Sequence, residues 1–114
     1  MRKGTQMIKV YQIHLNDSEM NQLRLEGWES TNPKIRAYGR RSIVKPTEVE
    51  FDKYELVAEV DTIDLEEAFM LMNLWEQPER VIKIGRPYSM SVGDVVENEA
   101  GERFLCASLG FKRI

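Results

Sequence analysis

Residues 6–15, QMIKVYQIHL, alternate in polarity with the period of a β-strand. Met7, Tyr11, Ile13 and Leu15 fall on one side, Ile8 and Val10 on the other. Apolar residues on both sides place this strand inside a sheet, not at its edge. Asn16-Asp17-Ser18-Glu19 then carries the capping-box spacing of a helix start. The pattern predicts a short helix over about 17–26, with Met20 and Leu23 toward the core and Gly27 as its stop. A second strand is predicted over 53–60, KYELVAEV, where Tyr54, Leu56, Ala58 and Val60 alternate with charged or small residues.

The strongest periodicity follows. Leu65, Ala68, Phe69, Met72 and Trp75 recur at i, i+3, i+4, i+7 and i+10, the stripe of an amphipathic helix over about 64–76. Asp61, Asp64, Glu66 and Glu67 suit the positive end of its dipole, and Pro78 ends it. Beyond lie a short strand over 80–84, a turn at Gly85-Arg86-Pro87, and a hairpin whose two strands, SMSVGDVVEN and GERFLCASLGFKRI, meet at a turn over 98–101. In the last strand Leu105, Ala107 and Leu109 alternate with Phe104 and Cys106, so both faces are expected to be buried. The stretch 28–47 is the least regular. Asn32-Pro33, Gly39 and Lys45-Pro46 break long elements, which leaves a long loop or one interrupted by a strand or turn over 35–43.

These elements predict an α+β fold: a small, mainly antiparallel twisted sheet or partial barrel with one main helix on a face. The 114 residues suit a single domain, 1–114, which buries roughly 65% of its surface on folding. A hydrophobic fraction of 42% and a charged fraction of 31% put the chain among folded proteins, and a net charge of −3 names no partner. The N-terminal residues lack a signal-peptide pattern and no apolar run approaches ~18 residues, so a cytoplasmic protein without membrane attachment is expected. The single cysteine, Cys106, rules out an internal disulfide and a multi-cysteine zinc site.

Charge is unevenly placed. Lys34, Arg36, Arg40, Arg41 and Lys45 are five cations with no acid among them, and Tyr38 sits in their middle. Guanidiniums beside an aromatic ring can hold phosphates and stack a base, the chemistry of a nucleic-acid or phosphate contact. Residues 48–67 reverse the sign, with nine acids against Lys53 alone. The plainer alternative is that the basic stretch folds over this acidic one as surface pairing.

Elsewhere the chemistry is sparse. His14 is the only histidine and has no cluster of partners for base catalysis or zinc binding. Cys106 has apolar neighbours and reads as a buried, inert thiol. The acids from Asp61 to Glu67 do not match a calcium loop. Gly93-Asp94 lacks the glycine series of a phosphate loop and reads as a structural corner; Ser89, Ser91 and Asp94 form the alternative polar pocket. Trp75 belongs to the helix stripe, whereas Trp28 fits either a core lid or an exposed contact.

Three fragments, VYQIHLNDSEM, DTIDLEEAFMLMNLWE and SMSVGDVVENEAGERFLCASLGFKRI, cover most of the chain. The most specific is the last, with Ser89-x-Ser91-Val92-Gly93-Asp94-Val95-Val96 running on to Gly110-Phe111. Together they resemble a family of small bacteriophage and mobile-element proteins that includes accessory proteins of T4-like cyanophages and YodL-like members. The resemblance implies a phage-encoded accessory protein in the host cytoplasm and brings no catalytic residue with it. The expected function is therefore non-enzymatic binding of a host or phage macromolecule, foremost a protein, without cofactor or metal. The alternatives are nucleic-acid binding through 34–45 and a small ligand-binding or enzymatic pocket near Ser89 and Asp94. A homo-oligomer stays open.

Overall fold

The computed structural model describes residues 7–27 and 31–114. Trp28, one of the two tryptophans singled out above, lies outside the described residues. The expected α+β class is what forms. Six strands make one antiparallel sheet: β1 (Ile8–Gln12), β2 (Glu55–Val60), β3 (Val81–Lys83), β4 (Val95–Glu97), β5 (Arg103–Cys106) and β6 (Phe111–Arg113). Their order is β3-β2-β1-β4-β5-β6, so the first strand lies inside the sheet, as its two apolar sides required. The sheet stays open at β3 and β6 and does not close into a barrel.

Register explains the core. Ile8 pairs with Val60 and Val10 with both Ala58 and Val96, so each row across the strands presents apolar side chains to one face. Helix α3 (Leu65–Leu74) covers that face with Ala68, Leu71 and Met72, and Leu65, Phe69 and Trp75 pack around them. Asp64 is the N-cap, accepting from the amides of Glu66 and Glu67 at 2.9 and 3.4 Å. The helix stops at Leu74, ahead of Pro78, because Trp75 turns into the left-handed region at φ 55°. Pro78 instead opens a 3-10 turn, Pro78–Arg80.

A second, smaller cluster of Ile13, Leu15 and Ile35, with Leu23, Ala37, Tyr38 and Tyr54 against it, seats the remaining helices at one end of the sheet. The capping box of α1 (Asp17–Glu26) is complete: Glu19 N donates to Asn16 Oδ1 at 2.7 Å and Asn16 N to Glu19 Oε1 at 2.9 Å. Leu23 does face the core, but Met20 is exposed.

Two further sequence expectations give way. The supposed loop holds a helix, α2 (Pro33–Arg40), because Asn32 caps it by accepting from Lys34 N at 2.9 Å and Pro33 takes the first position, where its missing amide costs nothing. The last predicted strand is two, β5 and β6. The chain turns between them, with Ala107 N donating to Gly110 O and Gly110 at φ 77°, and this leaves Leu109 84% exposed rather than buried. Among the described residues no helix is long and apolar enough to cross a membrane.

Candidate functional site: an arginine-lined cleft over a buried carboxyl

On α2, Arg36 and Arg40 stand one turn apart and are both exposed, and Arg41 follows at the helix end. All three line a cleft of about 380 Å³ with half-buried Val44 and Val49, over the buried Ile13 of the core. Glu48 and Glu50, from the segment after α2, line it as well. Glu50 lies 3.8 Å from Lys53, and one Glu48 carboxylate oxygen takes the backbone amide of Lys45 at 3.1 Å.

The six residues of the basic stretch do not act together. Lys34 is tied to Glu19 at 3.1 Å and straps α2 to α1. Lys45 is exposed outside the cleft lining, and Tyr38 carries the Arg41 guanidinium 3.9 Å above its ring. One face of that ring is thus already occupied. The observed ion pairs of the acidic run 48–67 use cations outside the basic stretch: Lys53, within the run itself, for Glu50 and Asp52, and Arg80 for Glu67.

Arg41 also joins the basic helix to the Gly93-Asp94 corner, a connection the sequence pattern does not show. Gly93 has φ 99°, and a Cβ built there would fall 2.2 Å from the Arg41 carbonyl oxygen. Only glycine lets the two backbones approach so closely. The Tyr54 hydroxyl fastens the same corner, donating to Gly93 O at 2.5 Å.

Beneath it Asp94 is fully buried. Its Oδ2 accepts from Gln12 Nε2 and from the Ser91 amide, each at 3.0 Å, while Oδ1 meets no donor among the described residues. Gln12 is itself sealed in, exchanging hydrogen bonds with the backbone of Tyr88 at 2.9 and 3.1 Å. Burial pushes the Asp94 carboxyl up to about 7, against the opposing pull of the Ser91 amide, Gln12 and the Arg41 charge. Burial and the Asp94 charge also raise the Tyr54 and Tyr88 hydroxyls. The same causes raise the Cys106 thiol to about 11.

The three residues of the alternative polar pocket are therefore dispersed. Asp94 is closed off from solvent and Ser89 is exposed, while Ser91 contributes its backbone amide inward and lines a second cleft of about 540 Å³ with Tyr38 and Arg41. His14 belongs to a different cleft, with Asp17, Glu55 and Arg86. Among the described residues no group of three or more His, Cys, Asp and Glu could hold a metal ion. Gln12 is the member of the corner that sequence reasoning passed over. Its signal was its place in the row of Ile8 and Val10, where a polar residue must find buried partners.

No family model, curated protein or solved structure matches the chain. The likeness to phage accessory proteins therefore rests on the sequence fragments alone.

Proposed function

We propose that the chain is a non-enzymatic binding protein whose α2 cleft takes an acidic segment of a protein partner. The observation that carries this reading is the joint lining of one cleft by Arg36, Arg40 and Arg41 and by Glu48 and Glu50. A peptide offers carboxylates to guanidiniums, N–H donors to carboxylates, and apolar side chains to Val44 and Val49. A nucleic-acid backbone offers the same repeated anion to both kinds of wall, and the glutamates repel it. The occupied face of Tyr38 further weakens base stacking. A chemical role finds little support, because Asp94 is sealed and the Cys106 thiol stays protonated at neutral pH. The setting we attach to this reading, a phage-encoded accessory protein meeting a host or phage protein in the host cytoplasm, comes from the sequence resemblance.

Fluorescence anisotropy with a labelled peptide of alternating glutamate and leucine tests the proposal at low salt. The expected result is saturable binding that weakens about tenfold or more in the double variant Arg36→Ala, Arg40→Ala, an effect on the scale of one to two charge-assisted contacts. Binding of a single-stranded oligonucleotide in preference to the peptide would favour the nucleic-acid alternative. No binding of either would end the assignment of this cleft.

A further inference from the structure

Two buried polar side-chain atoms have no protein partner among the described residues: Asp94 Oδ1 and Arg41 Nε. They belong to an acid and a base whose charges act on each other. Arg41 also borders both clefts, the one on α2 and the wider one beside Ser91. The close approach of its backbone to Gly93 fixes its main chain, and Tyr38 holds its guanidinium, with Nη1 donating to Tyr38 O at 2.7 Å and the group 3.9 Å above the ring, so Nε is the donor left to respond.

The groups facing Asp94 are few. Arg41 comes from the end of α2, Tyr54 from the segment before β2, Tyr88 from the β3–β4 connection and Cys106 from β5; β1 supplies uncharged Gln12. Arginine stays charged, and the buried tyrosines and thiol stay protonated well above neutrality. Asp94 is thus the group of this set that changes charge near neutral pH.

We propose that Asp94 is a positioning residue: ionised, it draws the Arg41 guanidinium toward the β4 corner, and protonated, it leaves that guanidinium to the α2 cleft. The inference rests on the reading of that cleft as the binding site. Ionised Asp94 competes with a ligand carboxylate for one guanidinium, and a proton on Asp94 removes the competitor. Affinity for an acidic segment therefore rises as pH falls through neutrality, by about tenfold, within the usual range of coupling between two sites.

The test uses the full chain and two readouts. The first is the NMR signal of Arg41 Nε–H between about pH 5 and 9, which needs no ligand. It is expected to show a transition centred near neutrality that disappears in Asp94→Asn and persists in His14→Gln, since His14 lines neither cleft. If Asp94→Asn does not fold, Arg41→Gln serves instead: the Asp94 carboxyl carbon should then titrate at higher pH, having lost the neighbouring cation. A pH-invariant Arg41 signal, a transition that survives Asp94→Asn, or an unmoved Asp94 midpoint in Arg41→Gln each overturns the proposal. The second readout is affinity for the glutamate–leucine peptide at about pH 6 and pH 8, expected to differ in the wild type and to be flat in Asp94→Asn. Equal affinity at both pH values overturns the switch and leaves the cleft intact as a binding site. An Arg41 transition with no peptide binding at any pH upholds the coupling and removes the cleft reading.

Discussion

Replacing Gly93 by alanine probes the contact on which the candidate site depends. Two costs combine. At φ 99° an L side chain is strained, which costs roughly 1–3 kcal/mol. The new Cβ would also lie 2.2 Å from Arg41 O and 2.5 Å from Arg41 C, both below the 3.0 Å that real Cβ atoms respect. The obstacle is backbone, so the end of α2 must retreat by roughly an ångström, a strain of the order of the 1–3 kcal/mol seen for overpacked cores. That movement loosens the Tyr54 hydroxyl's bond to Gly93 O, adding about 1 kcal/mol. The sum is about 3–7 kcal/mol, a large share of the ~5–15 kcal/mol that stabilises a typical domain. At ~4 °C per kcal/mol for a chain of this size, the midpoint should fall by about 12–28 °C. The control is Gly101→Ala, where φ is 82° but nothing lies within 4 Å, so backbone strain acts alone at about 1–2 kcal/mol. Urea and thermal denaturation of both variants give the comparison. Equal losses at the two positions would refute the close docking of α2 on the β4 corner.

Three further outcomes follow from the same geometry. The Asp94 carboxyl is raised from 3.8 to about 7 in the folded chain, so the folded state binds the extra proton over that interval. Its contribution to stability is full below pH ~4 and is lost as pH rises through ~7, by roughly 4 kcal/mol at most. Asp94→Asn should therefore gain on the wild type between about pH 4 and 8 in urea titrations, and a constant difference would contradict the buried charge. Cys106 is buried with its thiol raised to about 11, so thiol reagents at pH ~8 should label it at least tenfold more slowly than the unfolded chain. Labelling at the unfolded rate would mean that β5 is open. Asp64→Ala removes the cap of α3 and should cost about 1 kcal/mol by denaturation, whereas Asp64→Asn should cost little.

Where local chemistry decided a structure, the sequence was readable. The Asn16–Glu19 capping box and the Leu65-to-Trp75 stripe both correspond to helices, and the alternation around Val10 did signal a central strand. Asn32-Pro33 misled because the same dipeptide breaks one element and begins another, and only the burial of Ile35 against Ile13 and Leu15 decides between them. The final strand divides because Gly110 reverses the chain, a tertiary choice that local alternation does not encode. The site divided in the same way. Its arginines were visible as a charge run, but the distinction between Lys34, tied to α1, and Arg41, lodged on Gly93, needed contacts between residues far apart in sequence. Nothing local marked the meeting of Arg41 with Asp94.

The strand order also gives β1 a mechanical task. One block, β2 with β3, and another, β4 through β6, each assemble from neighbouring stretches of chain, and the five residues of β1 are the seam between them. Since Val10 must find Val96, the closing step spans most of the polypeptide and is entropically the slowest to come. A cut or substitution that unseats this one strand should part the sheet into halves, and the arginine helix, held at its end by Ile13, would leave with the seam.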